Sequence, residues 1–219
     1  MGSQKFGCDP DTTLKIAKTI KQVVDLGSQV SIVVGGGNIF RGIKGVTQGL
    51  ERTPSDHIGM LATMINGLAL QQALHAIACE SIVMSAIPCD LIAETYNWKK
   101  ALQNLDQGRV VIFVGGSGNP YFTTDTAAAL RALEMKAEIV MKATKVSGVY
   151  DKDPLKYTDA VMFDQISYSD VLMKKLEVMD ATAIALCREN SLPIRVFNIF
   201  EEDALVKAVT GQSVGTLVE

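Results

Sequence analysis

Two glycine clusters, Gly35-Gly36-Gly37-Asn38 and Gly115-Gly116-Ser117-Gly118-Asn119-Pro120, each follow a short apolar run, and they are where chemistry is first expected in this sequence. A strand that stops at consecutive glycines and passes toward a helix presents unpaired backbone N–H groups with no side chain in the way. That geometry suits an anion such as a phosphate. Two such turns imply two phosphate-bearing ligands, or one ligand gripped twice; a plain tight turn is the alternative for Gly35-Gly36-Gly37. Arg41 lies four residues beyond the first cluster, so its guanidinium either closes over the same anion with paired hydrogen bonds or stands as an ordinary surface arginine.

Other segments add to those turns. Ser117-Gly118-Asn119-Pro120-Tyr121-Phe122-Thr123-Thr124-Asp125 joins glycine, aromatics, hydroxyls and a carboxylate immediately ahead of an alanine-rich helix. Its backbone groups can read a base edge, its threonines can hold phosphate at the helix start, and Asp125 can orient a lysine or a metal. Read separately, a threonine caps the helix and the aromatics fill core. Lys142 closes an apolar strand, where it either marks the exit into solvent or faces a ligand crevice and offsets charge on a transferring phosphoryl group. Asp56 opens a long helix, as an N-cap or as an acceptor for ribose hydroxyls. His57 beside it packs or faces solvent.

Familiar nucleotide fingerprints fail. Gly37 to Lys44 spells G-x-x-x-x-G followed by Ile43 and Lys44, so the lysine is one residue out of step with a P-loop and no Ser or Thr follows it. Gly116-Ser117-Gly118 begins a dinucleotide fingerprint, but Tyr121 occupies the third glycine position. A formal charge of -3 and a pI near 5.5 argue against a broad basic footprint, so no nucleic-acid partner is expected. Cys8, Cys79, Cys89 and Cys187 form no C-x-x-C pair and only two histidines are present, so no metal site is expected and the thiols read as buried or free in a reducing compartment. The longest uncharged stretch, Ile58 to Leu74, carries Thr63, Asn66, Gln71 and Gln72, and falls short of the ~20 apolar residues a membrane span needs. The amino terminus lacks a basic segment followed by an apolar one. A cytoplasmic protein without a membrane partner is expected.

The elements that must position these residues alternate. The pattern predicts a helix from Asp9-Pro10 to Gly27, a strand over 30–34, a helix from Pro54 to about Ala78, and a strand over 81–85. It continues with a helix over 98–105, a strand over 109–114, a helix over 124–135 and a strand over 139–142. An irregular stretch, 143–159, reads as a binding loop. Beyond it come a strand over 161–163, helices over 169–177 and 181–190, a strand over 194–198, a helix from Asp203 and a last strand over 216–218. Such alternation means a mainly parallel sheet with helices on both faces and ligands at the carboxyl ends of strands. At 219 residues, 47% of them hydrophobic, the chain can bury a sizeable core, and no linker divides it.

Taken together these segments resemble the bacterial uridylate (UMP) kinases of the amino-acid kinase superfamily. The resemblance runs the length of the chain. It is most specific at 35–42, 56–63, 118–125, 142–150 and Leu192-Pro193-Ile194-Arg195-Val196-Phe197-Asn198. It implies an α/β, three-layer αβα sandwich with a mainly parallel central sheet, forming a single domain over 1–219 with an acceptor-nucleotide lobe over about 1–137 and an ATP lobe over about 138–219. It also implies ATP-dependent phosphorylation of UMP to UDP with Mg2+, in homohexamers, for pyrimidine nucleotide synthesis.

Carried over residue by residue, the resemblance sets Gly36 and Asp56 on UMP, with Asp56 on the ribose. Ser117, Gly118, Asn119, Pro120, Tyr121, Phe122, Thr123 and Thr124 hold uracil and acceptor phosphate. Gly37 and Arg41 lie beside the transferred phosphate, and Thr144, Tyr150 and Asp153 line the ATP site. Lys142 and Asp125 become the transition-state cation and its organiser, with Asp180 a further candidate. The stretch Gly2 to Gly7 corresponds to where some family members bind the activator GTP.

Family members start with a strand containing Lys-x-Ser-Gly-Glu, which this sequence does not show. On that ground the chain is expected to be poorly stable and nearly inactive, which brings in an impaired nucleotide-binding or regulatory protein as the alternative. A sister kinase acting on a carboxylate or carbamate is the other, and the Asn119 to Thr124 segment, which resembles the nucleotide-acceptor form, separates the two kinases.

Overall fold

The computed structural model describes residues 7–47, 49–176 and 178–219. Helices and strands alternate as expected, and two compact units divide the chain, Met1–Ala127 and Ala128–Glu219.

In the first unit the elements are α1 (Pro10–Asp25), β1 (Ser31–Val33), α2 (Gly42–Thr47), α3 (Arg52–His75), β2 (Ser81–Ser85), β3 (Glu94–Thr95), α4 (Trp98–Asp106) and β4 (Val110–Val114), with α5 (Thr124–Glu134) running into the second. The four strands form one parallel sheet in the order β1-β4-β2-β3. Its central strand, β4, is Val-Val-Ile-Phe-Val and buried throughout, the near-continuous apolar run that a strand covered on both faces requires. Ala17, Ile20, Met64, Leu70, Leu74, Val83, Val110, Ile112 and Val114 make the core of this unit.

The second unit holds β5 (Val140–Thr144), β6 (Gln165–Ile166), α6 (Tyr168–Met173), α7 (Ala181–Glu189), β7 (Ile194–Asn198), α8 (Ala204–Val209) and β8 (Thr216–Val218). Its sheet has the order β5-β7-β8-β6, parallel except for the antiparallel pair β7–β8. Val140, Ile184, Cys187, Ile194, Val196 and Val218 are among the residues of a separate core.

Several element ends depart from the sequence reading for local reasons. α3 begins at Arg52, so Pro54 sits within the first turn, where a missing N–H costs no helical bond. The strand expected over 161–163 is a single antiparallel bridge, Tyr150 to Met162, and the ladder strand follows at Gln165–Ile166. The helix expected over 169–177 ends at Met173, because Lys175 adopts the left-handed φ of 52°; Glu177 lies outside the described residues. The short α2 and the two-residue β3 carry no periodic signal and were not expected. No described helix is long and apolar enough to cross a membrane.

Cys79 and Cys187 are buried, whereas Cys8 and Cys89 are half-buried. Burial pushes the Cys187 thiol up to about 11 and raises Cys79 as well. Titration of the native protein with an aromatic disulfide reagent at about pH 8 is therefore expected to modify Cys8 and Cys89 first. Cys79 and Cys187 should react only as the chain unfolds; fast modification of all four without denaturant would contradict this.

Candidate functional site

The two glycine turns lie side by side. β1 and β4 are adjacent and parallel, with Val33 opposite Phe113, so Gly35 and Gly115 leave neighbouring strands at their carboxyl ends. This is where an open α/β sheet accepts ligands. The backbone N–H of Val34 still donates to Phe113 O at 3.2 Å, and the chain then turns as Ile39 and Phe40 both donate to Gly36 O at 2.9 Å. A methyl added to Gly36 would stand 2.7 Å from the Gly59 carbonyl oxygen and 2.9 Å from Ala62 Cβ, so packing against α3 also demands glycine here. Arg41 folds back, its Nε donating to Gly37 O at 3.1 Å, with the side chain exposed.

The second turn is built on left-handed backbone, with φ of 78° at Gly115, 60° at Gly116 and 80° at Gly118. Gly118 N–H donates to Gly115 O at 3.0 Å, and Ser117 Oγ accepts from Asn119 N–H at 3.2 Å. Tyr121, at φ 73°, and Phe122 are 66% and 51% exposed, so neither aromatic fills core. Thr123 Oγ1 accepts from Asp125 N–H at 3.0 Å and caps the start of α5. Thr124 Oγ1 lies 3.6 Å from a methyl built on Gly35, which brings the amino-terminal turn of α5 against the first glycine turn. The segment from Ser117 to Asp125 and the turn at Gly35 therefore share one place in the first unit.

Asp56 joins them, though not as a cap. The residue at the N-cap of α3 is Glu51, and Asp56 sits inside the helix with its side chain 12% exposed. Its Oδ2 accepts from Arg52 Nε at 2.7 Å and from the backbone N–H of Tyr121 at 2.8 Å, while Arg52 also lies over the Tyr121 ring at 5.3 Å. The carboxylate thus fastens the 115–124 segment to α3 and retains lone pairs for further donors. His57 is exposed.

In the second unit, Lys142 lies opposite Val196 on β5, two residues before the strand ends at Thr144. Thr144 Oγ1 donates to Val146 O at 2.6 Å and accepts from Val146 N–H at 3.1 Å, which shapes the exit from the strand. The stretch read as irregular is closed by local bonds. Asp151 Oδ1 accepts from Val161 N–H at 2.8 Å and Asp153 Oδ1 from Leu155 N–H at 2.9 Å. The Leu155 amide, and secondarily Lys156, hold the Asp153 carboxyl below the usual carboxylate range. Thr216 Oγ1 accepts from Val149 N–H at 2.8 Å and donates to Phe163 O. Asp180 caps α7, accepting from Ala183 N–H at 2.9 Å.

Among the described residues no group of three or more His, Cys, Asp or Glu could hold a metal ion. An open cavity of about 420 Å³ in the second unit is lined by Phe163, Ile166, Asp170, Lys174 and Glu219 among others, and none of the expected nucleotide-binding residues contributes to it. Residues that sequence reasoning passed over stand on α3: Thr63, whose Oγ1 accepts from Gly115 N–H at 2.7 Å, and Asn66, whose Nδ2 donates to Gly35 O at 2.7 Å. Their spacing of three, on one helix face, was a signal only once that helix was known to underlie both turns.

Gly36→Ala is expected to lower stability by about 1–3 kcal/mol in urea unfolding, since the added methyl meets backbone. Gly59→Ala, whose methyl meets nothing within 4 Å, is expected to raise it by up to about 1 kcal/mol. Equal effects from the two would show that the close approach of the turn to α3 is not tight.

Comparison with known proteins accords with this arrangement. Residues 1–198 match the Amino acid kinase family. A uridylate kinase of Protochlamydia amoebophila (strain UWE25) is 58% identical over 221 residues, covering 100% of this chain and 88% of that relative. The crystal structure of UMP kinase from Bacillus anthracis matches with a TM-score of 0.95 at 39% identity, over 100% of this chain and 90% of its own. That of UMP kinase from Ureaplasma parvum matches at 0.90 and 39%, over 96% and 90%. Uridylate kinase from Archaeoglobus fulgidus follows at 0.75 and 29%, over 96% and 94%. With glycine turns paired at the ends of parallel strands and relatives matched along the whole chain, this protein belongs to the amino acid kinase family.

Proposed function

We propose that this chain transfers the γ-phosphoryl group of ATP to the phosphate of UMP, giving UDP and ADP. The observation that carries the reading is the pair of glycine turns at adjacent strand ends, closed by the start of α5, in a chain 58% identical to a uridylate kinase.

In this reading the first unit takes the acceptor. UMP phosphate rests on Gly36 and the neighbouring turn with Arg41 beside it, the ribose reaches Asp56, and the 117–124 segment takes the uracil. The second unit takes ATP over Thr144, Tyr150 and Asp153. The reaction joins an oxygen of the UMP phosphate to the γ-phosphorus and releases ADP, so it needs alignment and charge neutralisation more than proton transfer. No general base is required, because the acceptor is already ionised. Lys142 is the cation for the moving group, and Asp125 keeps the organising role that the resemblance implies. Magnesium enters as the MgATP co-substrate.

The homohexamer is part of the same proposal, and the exposed row Ile58, Leu61 and Ile65 along α3 supports self-association. So are cytoplasmic residence and a GTP effector; most of the Gly2 to Gly7 stretch assigned to GTP lies outside the described residues. The impaired-protein alternative draws no support from relatives that carry kinase names at 58% and 39% identity.

ADP release from MgATP should depend on UMP, with CMP and aspartate giving little. No UMP-dependent release, either from this chain or from one given a family-like Lys-x-Ser-Gly-Glu strand, would overturn the assignment; aspartate dependence would favour the sister kinase. Lys142→Met is expected to lower kcat by about a hundredfold or more with little change in the UMP KM, because its cation acts on charge that develops in transfer.

A further inference from the structure

One face of α3 touches both glycine turns. Gly59, Thr63, Asn66 and Gly67 recur at helical spacing along it. A methyl on Gly36 would meet Gly59 O at 2.7 Å and Thr63 N at 3.0 Å, and one on Gly67 would meet Val114 Cγ1 at 2.3 Å, so the ends of β1 and β4 lie directly on the helix. Glycine at 36 and at 67 makes that approach possible. Between them stand two polar side chains, each bonded to the backbone of a different turn.

Thr63 is buried, and its hydroxyl is committed in both directions: it donates to Met60 O at 2.7 Å and accepts from Gly115 N–H at 2.7 Å. Asn66 is committed more fully. Its Nδ2 donates to Gly35 O at 2.7 Å and to Asn38 Oδ1 at 2.6 Å, and its Oδ1 accepts from Asn38 Nδ2 at 3.0 Å and from Cys8 Sγ at 2.9 Å. Asn38 in turn donates to Gly7 O at 2.9 Å. The reciprocal amide pair Asn38–Asn66 therefore clamps both ends of the first turn, its Gly35 carbonyl and its Asn38 side chain, to the helix. Every donor and acceptor of the Asn66 amide is used, which is more than helix stability requires of a half-buried asparagine.

We propose that Thr63 and Asn66 are positioning residues: α3 uses them to hold the Gly115 and Gly35 turns at a fixed spacing, so that the backbone N–H groups of both turns meet the acceptor nucleotide together. This rests on the UMP kinase reading for its substrate, but not for its geometry. A phosphate held by two independent backbone turns is sensitive to their separation, because its oxygens meet the N–H groups of both turns only when each lies within hydrogen-bond distance, so a change of spacing weakens binding of the acceptor. Asn66→Asp puts an acceptor against the Gly35 carbonyl and expels the turn, and Thr63→Val leaves Gly115 N–H without its acceptor. Thr63→Ser keeps that acceptor.

The test combines steady-state kinetics with hydrogen exchange of the nucleotide-free protein. Asn66→Asp and Thr63→Val are expected to raise the UMP KM about tenfold or more while the ATP KM stays within about twofold, and Thr63→Ser to restore it to within about threefold. Exchange should accelerate about tenfold over 35–40 in Asn66→Asp and over 115–118 in Thr63→Val, with the β2 amides unchanged. A fall in kcat with both KM values unmoved, or exchange that rises evenly over the unit, would overturn the proposal and leave these side chains as fold stabilisers. If the unsubstituted protein turns over no UMP, the functional reading fails on its own, and the exchange pattern still decides whether Thr63 and Asn66 hold the turns.

Discussion

The close approach of α3 to the ends of β1 and β4 is the constraint on which the carboxyl edge of the first sheet depends. It requires glycine at 36, where a methyl would meet the Gly59 carbonyl at 2.7 Å, and at 67, where one would meet Val114 at 2.3 Å. Once helix and strand ends are this close, the chain leaving each strand has little room except to turn. Turning there exposes backbone N–H groups at the carboxyl edge of a parallel sheet. The phosphate-cradle reading of Gly35–Gly37 and the plain tight-turn reading are therefore not rivals, since the packing that calls for glycine at 36 also leaves the turn free of a side chain there, as the proposed phosphate site needs.

Polar side chains then settle what glycine leaves loose. A glycine-rich turn loses more conformational freedom on folding than any other, so it holds one shape only where other groups hold it. Thr63, Asn66 and Asp56 each bond to backbone of a turn or its following segment, at 2.7 to 2.8 Å, and all three project from α3. In the second unit the same device orders the long connection after β5, where Asp151, Asp153 and Thr216 bond to backbone amides. The connection is a folded loop whose order is written in side-chain oxygens. That explains how a stretch without periodic pattern keeps a definite course.

Much of this could be read in the sequence, and the limits of that reading are physical. Strands β2, β7 and β8 fell where expected because their β-branched runs are bounded by turn residues, and the α/β class followed from alternation. Elements held by tertiary contact were not visible. β3 is two residues paired to an edge, and α2 contains two glycines that intrinsic propensity counts against. Met162 reads as strand but makes only a bridge, because Tyr150 meets it for one residue before the ladder passes to Gln165.

Among the candidate site residues, the glycine turns and their place at strand ends were legible because glycine at strand ends is a local signal. Partner choice was not. Asp56 reads as a cap from its place before an apolar run, yet α3 starts four residues earlier and the carboxylate turns to Arg52 and the Tyr121 amide, 65 residues away in sequence. Asn66 and Thr63 read only as polar interruptions of an uncharged stretch, since a polar residue on an apolar helix is usually solvated or bonded within its own turn. What converts them from unremarkable helix residues into fixtures of the candidate site is register: β1 and β4 are neighbours although the paired residues Ser31 and Val111 stand 80 apart in sequence, so one helix can lie under the ends of both. A crossover of that kind is invisible to any window of local sequence. The residues proposed to read a nucleotide can be recognised one segment at a time, whereas those that hold the segments together become visible only with the topology.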